Sequence, residues 1–189
     1  MLVAMPTLST TKMTAEQFFQ LGEDPVGIRL ELVDGEIAVG PSITPRHSYA
    51  TMQLATFLDA QNDSQNIGEV YSGVGIVLDH FTVRRPDILY YQKARTHLVG
   101  EIAMQGPPDL AVEVISPSSV EIDRVDKFAQ YRSAGVANYW IVDPGSKTIE
   151  AWRLENGQYI SAGRGEQGQT VQLPPFPDLS IPLSRLWRD

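Results

Sequence analysis

Two carboxylates stand inside apolar runs, where an ordinary core has no place for them. Asp87 follows Pro86 and opens Asp87-Ile88-Leu89-Tyr90-Tyr91, and Glu113 lies within Leu110-Ala111-Val112-Glu113-Val114-Ile115. A continuous apolar run closed by Ser116-Pro117 reads as a central strand buried on both faces. Burying a lone ionised carboxylate costs several kcal/mol unless a cation, a hydrogen-bond donor or a proton offsets it. Acids so placed are partnered or functional. For one at the head of a strand and another inside a second strand, the simplest shared partner is a divalent metal ion. A hydrogen-bonded pair of buried acids is the plainer alternative.

With 189 residues, 42% hydrophobic and 20% charged, the chain suits one globular domain spanning 1–189. Residues 1–13 are expected to be a loosely held N-terminal segment. No stretch approaches the roughly 18–20 apolar residues of a membrane helix. The start Met1-Leu2-Val3-Ala4-Met5-Pro6 lacks the basic region and apolar core of a signal peptide. The expectation is a cytoplasmic protein without a membrane partner. The absence of cysteine excludes disulfides and thiolate metal sites and fits a reducing compartment. A net charge of −8 argues against a generally sticky nucleic-acid binder. It leaves room for a DNA enzyme, because a local basic strip and bound cations neutralise phosphates where they touch. Arg84, Arg85, Lys93 and Arg95 surround the Asp87 strand. They form either such a strip or scattered surface charge.

Local signals set the element order. Thr14 and Gln17 have capping-box spacing and start a short helix. Residues 29–33 and 36–39 flank an Asp34-Gly35 turn and predict a hairpin. Thr44-Pro45 opens a helix through about Leu58, with His47 in its first turn. Gly-punctuated strands follow from Ile67 to Tyr91, then a connection over 92–108. After the Glu113 strand, Ser118 and Glu121 have capping-box spacing for a helix that stops at Gly135. Residues 138–142 and 148–154 and the Asn156-Gly157 turn predict a C-terminal β-meander, with 173–182 as an extended tail packing on the domain. Strand, helix, strand over 109–142 is a crossover that favours parallel pairing, and the hairpins favour antiparallel pairing. The expected fold class is α/β, a mixed sheet flanked by helices.

Alternate residues of a strand share a face, so Asp87 and Glu113 converge on one cation if their strands are neighbours. At a phosphodiester, such a cation polarises the phosphoryl oxygen and activates water, and a nearby lysine orients that water or stabilises developing charge.

Pro86-Asp87, Glu113-Val114-Ile115-Ser116-Pro117-Ser118, Asp123-x-x-x-Lys127-x-x-x-Tyr131 and Gly135-Val136-x-x-Tyr139-Trp140-Ile141-Val142-Asp143-Pro144 together resemble the Uma-two-like family. That is a group of restriction endonucleases in the PD-(D/E)XK nuclease superfamily. Glu31-Leu32-x-Asp34-Gly35-Glu36 and Pro45-x-His47 extend the similarity over nearly the whole chain. The resemblance implies a restriction-endonuclease-like core and Mg²⁺- or Mn²⁺-dependent DNA cleavage. It implies that Asp87, Glu113 and the Val114 carbonyl bind the metal, with Glu31 as a third acid. His47, Asp123 and Tyr131 become auxiliary candidates. The superfamily lysine expected two residues after the acid is Ile115 here, and the resemblance moves it to Lys127 on the following helix.

Helical periodicity alone says otherwise. At about 100° per residue, Ile122, Val125, Phe128 and Ala129 make one apolar stripe, with Asp123, Lys127 and Tyr131 on the other side. Glu31 likewise alternates with Arg29 and Val33 and reads as solvent-facing on an amphipathic strand. Trp140, Trp152 and Trp187 read as packing residues. Clustered acids without metal raise at least one pKa among Asp87, Glu113 and Glu31. Lys127→Ala is expected to spare the fold, and removal of Asp87 to relieve repulsion and raise stability. Cleavage of both strands of a duplex favours a homodimer. A catalytically silent module that binds DNA or protein is the other reading, supported by the acidic charge and the lost E-x-K lysine. A phosphoesterase acting on RNA or a nucleotide is a third.

Overall fold

The computed structural model describes residues 12–188. Of the expected loose segment, residues 1–11 lie outside that range. Met13 is already tied down, its N–H donating to the Gly35 carbonyl at 3.0 Å.

The chain runs α1 (Ala15–Phe19), β1 (Leu30–Val33), β2 (Glu36–Val39), α2 (Pro45–Gln65), β3 (Gly68–Ser72), β4 (Ile76–Asp79), β5 (Thr82–Arg84) and β6 (Ile88–Gln92). After a 3₁₀ turn over Lys93–Leu98 come β7 (Leu110–Val114), a π-helical segment (Ile122–Lys127) continuing into α3 (Phe128–Ala134), and β8 (Asn138–Asp143). The chain then forms β9 (Thr148–Glu155), β10 (Gln158–Glu166), β11 (Thr170–Leu173) and β12 (Phe176–Pro182).

The central sheet has six strands in the order β10-β9-β8-β7-β6-β3. β7 and β8 pair in parallel through the helical crossover, and the other neighbours pair antiparallel. The result is the mixed α/β fold that the crossover and hairpin signals predict. One face carries Ile88, Val112, Val114, Trp140 and Val142 and packs on Ala50, Leu54 and Leu58 of α2. The other carries Leu89, Ala111, Ile115, Tyr139 and Ile141 and packs on Tyr131 of α3. Phe128, Tyr131 and Tyr159 meet one another or Tyr139 edge-on or stacked at 5.0–6.1 Å. Such pairs add about 0.5–1.5 kcal/mol each beyond buried area. A smaller sheet, β2-β1-β5-β4, lies beside the first and holds its own cluster of Ala15, Phe18, Leu32 and Val83.

Two local expectations change. α2 runs past Leu58 to Gln65, because polar residues prolong it after its apolar contacts end. It closes at Asn66 in a left-handed conformation, with the Asn62 amide on the Gly68 carbonyl at 2.6 Å. The Ser118–Glu121 capping box does not form; instead the Ser119 hydroxyl accepts the Ser116 N–H at 2.9 Å. Residues 173–182 pack on the domain as expected, and they do so as strands. β11 and β12 pair into a ribbon that buries Leu173, Phe176 and Ile181 against the α2 face.

Candidate active site

The register of β6 on β7 pairs Ile88 with Val112 and Leu89 with Ala111. Continuing it by one residue sets Asp87 opposite Glu113, with the Asp87 N–H on the Val112 carbonyl at 3.1 Å. Pro86 precedes this point, where β6 begins and no ladder donor is needed. Asp87 therefore shares a face with Leu89, and Glu113 with Ala111 and Ile115, as strand parity predicts. Apolar neighbours fill the opposite face and force both carboxylates toward the helix.

Each acid has its own donors. Asp87 Oδ2 accepts from the Val114 N–H at 2.8 Å and from His47 Nε2 at 3.0 Å, and Oδ1 faces Arg29 at 3.2 Å. Burial opposes its ionisation, but the His47 bond, the Val114 N–H and the Arg29 charge outweigh it and hold the carboxyl below its ordinary range. Glu31 is buried too, 5% exposed rather than solvent-facing. Its oxygens take Arg84 and the Arg85 N–H, both at 2.8 Å. Despite its burial, the charges of Lys127 and Arg84 and the Arg85 N–H lower its pKa. Glu113 goes the other way. Burial pushes it up to about 8; Lys127 pulls it down, while Asp123, Asp87 and Glu31 add repulsion. The expectation that at least one of the three is raised thus falls on Glu113, because the other two own guanidinium or backbone donors. The Tyr131 hydroxyl donates to Glu113 Oε1 at 2.6 Å.

Lys127 completes the cluster. Its ammonium lies 2.9 Å from Glu113 Oε2, 3.0 Å from Asp123 Oδ1 and 3.9 Å from Glu31. It is 4% exposed, whereas Val125 of the supposed apolar stripe is 59% exposed. Through the π-helical segment and α3, residues 123, 127 and 131 share one face, as α-helical spacing also gives, and it is this polar face that meets Glu113 of the sheet. The Tyr139 hydroxyl, from β8, donates to the Asp123 carbonyl at 2.9 Å and pins that segment from below. The apolar stripe misleads here because the buried acids of the sheet draw the polar face inward.

The contacts point to different mutant effects from those expected. Lys127 is the buried counter-ion of three acids, so its removal should harm the fold. Asp87 adds repulsion at Glu113 but is held by three donors, whose loss should outweigh the relief. The basic strip is largely spent: Arg84 pairs with Glu31, Arg85 with Asp24 at 2.6 Å and Arg95 with Asp109 at 3.0 Å. Lys93 remains exposed.

Glu31, His47, Asp87, Glu113, Val114, Asp123 and Lys127 all line one cavity of about 20 Å³, room for a particle the size of a water. Among the described residues no three His, Asp or Glu side chains are set to hold a metal ion. Mg²⁺ nonetheless binds through one or two carboxylates and keeps several waters. The Asp87–Glu113 pair, all oxygen donors, suits such a hard cation. Arg29, Ser116 and Ser119 also line the cavity and were missed from sequence. Arg29 had a signal: it shares strand parity with Glu31, a cation two residues from an acid.

No curated protein matches the chain. A crystal structure of a putative nuclease belonging to DUF820, from Anabaena variabilis ATCC 29413, has the same fold. Its TM-score is 0.76 at 21% identity, over 92% of this chain and 97% of that one. Residues 15–184 match the pattern of Uma2, described as "Putative restriction endonuclease". That span takes in both sheets, the π turn and every residue of the acidic cavity, and the chain belongs to the Uma2 family.

Proposed function

We propose that the protein is a Mg²⁺- or Mn²⁺-dependent DNA endonuclease that hydrolyses phosphodiester bonds at the Asp87–Glu113 pair. One observation carries the reading: a lysine ammonium 2.9 Å from Glu113, although position 115 is isoleucine. Asp87, Glu113 and the Val114 carbonyl would hold the cation, with Glu31 joining through water because both its oxygens are engaged. Bound there, the cation supplies positive charge to the phosphoryl oxygen and acidifies water. Lys127 orients the attacking water and neutralises charge that develops on the phosphoryl group. Asp123 and Glu31 fix the ammonium, Tyr131 fixes the Glu113 carboxylate, and His47 and Arg29 fix Asp87.

The test is nicking of plasmid and single-stranded DNA with Mg²⁺ or Mn²⁺, beside calorimetric metal titration. Metal-dependent cutting abolished by Asp87→Ala and Glu113→Gln is expected. Metal binding without cleavage of any DNA tested would establish the second reading, a silent module that binds DNA or protein. That reading is favoured by the cations Arg29, Arg84 and Lys127, each already paired with an acid.

A further inference from the structure

Beside the acidic cavity, and sharing His47 and Ser116 with it, opens a cleft of about 890 Å³. That is the size range of a small-ligand site. Its walls are mainly apolar, from Pro45, Ile115, Pro117, Val120 and Pro144. At its mouth the Arg188 guanidinium lies over the Tyr49 ring, 4.6 Å from the centroid. Arg46 lines the same cleft and is exposed. Neither arginine forms an ion pair among the described residues. The cleft's acid, Asp143, is turned inward on the Gly145 and Ser146 N–H groups, at 2.8 and 3.1 Å. A protein of net charge −8 thus presents a locally cationic, largely apolar cleft next to its acidic centre.

That combination selects for planar apolar groups joined by negative charge. Bases stack on aromatic rings and on guanidinium planes, and phosphates pair with free arginines. A base inside a duplex already has both faces covered and cannot enter such a cleft without leaving its stack. Resting on the nuclease reading above, we propose that this cleft is a subsite for an unpaired nucleotide of the DNA strand adjoining the scissile phosphate. The Tyr49–Arg188 stack receives the base and Arg46 its phosphate. The preferred substrate is then single-stranded or locally opened DNA.

The experiment is fluorescence anisotropy without metal, using a labelled oligodeoxynucleotide as single strand and as blunt duplex. Arg188→Ala should weaken single-strand binding about tenfold, with a smaller change on the duplex. Arg188→Lys, which keeps the charge but loses the plane, should also lose the single-strand preference. Tyr49→Phe, which keeps the ring, should retain it. An oligonucleotide carrying 5-iodouracil should photocrosslink to Tyr49. Unchanged single-strand affinity in Arg188→Ala, or full rescue by Arg188→Lys, would overturn the subsite. Arg188-dependent binding by a protein that never cuts DNA would sink the nuclease reading and leave the subsite standing. Cutting with Arg188-independent affinity would do the reverse.

Discussion

Lys127 Nζ and Glu113 Oε2 are 2.9 Å apart inside the protein, with Asp123 3.0 Å from the same ammonium. Removing one partner of a buried ion pair leaves an uncompensated charge, at a cost of about 3–5 kcal/mol. Lys127→Ala should therefore lose stability of that order by urea denaturation at pH 9, as well as cleavage. Mg²⁺ should restore part of the stability, because a divalent ion can take the lost counter-charge. A variant as stable as wild type would show that Lys127 is not the centre's counter-ion.

Glu113 gives a pH signature of its own. Its pKa is pushed up to about 8 by burial, so the folded state holds a proton that the unfolded chain releases near the ordinary value of about 4.3. Below that value both states are protonated and the group contributes nothing. Between the two the unfolded state binds fewer protons, so stability falls as pH rises, levelling off above about 8. Glu113→Gln should flatten this slope in metal-free protein. Mg²⁺ binding near pH 7 should release close to one proton, visible as dependence of calorimetric heat on buffer ionisation enthalpy. Absence of release would show that Glu113 does not ligate the ion.

Asp87 has the opposite sign. Its folded pKa is lowered, so its contribution is complete above the ordinary value of about 3.9 and is lost as pH falls through the folded value. Asp87→Ala strands His47, Arg29 and the Val114 N–H, and should cost about 3 kcal/mol at neutral pH. Equilibrium unfolding would reveal a gain instead if repulsion among the acids dominated.

Tyr131→Phe deletes one hydroxyl, 2.6 Å from Glu113. Above about pH 8, where Glu113 is ionised, a hydrogen bond to its charge is worth about 1.5–3 kcal/mol. Stability should fall within or just below that range, while the aromatic packing on Tyr139 persists. The Glu113 pKa, followed by carboxyl NMR, should rise further. An unmoved pKa would leave Tyr131 as packing alone.

The fold was legible because its signals are local. Asn156-Gly157, Asp34-Gly35 and the run around Glu113 each encode a turn or a buried strand in a few residues. So was the meeting of Asp87 and Glu113, since strand parity permits one outcome once the strands are adjacent. The burial of Lys127 and Glu31 was not legible from periodicity. Lys127 depends on the acids that draw it inward, and Glu31 on Arg84 of the neighbouring β5 and the Lys127 turn packing over β1. The fate of the arginines was hidden too, because Asp24 and Arg85 are neighbours only after folding.

The π turn makes the centre sensitive to chain length rather than to residue identity alone. One residue of helix corresponds to a rotation of about 100°. Deleting Val125, which is exposed, would let the segment relax to α-helical winding while α3 stays moored by Tyr131 and Phe128. The acids, the sheet and the far-UV circular dichroism should survive. Lys127, on the α3 side of the deletion, would keep its place at Glu113, but Asp123 would stand three residues before it instead of four, and its 3.0 Å contact with the ammonium should be lost. A scaffold built this way can be weakened by a single lost codon that touches neither an acid nor the lysine.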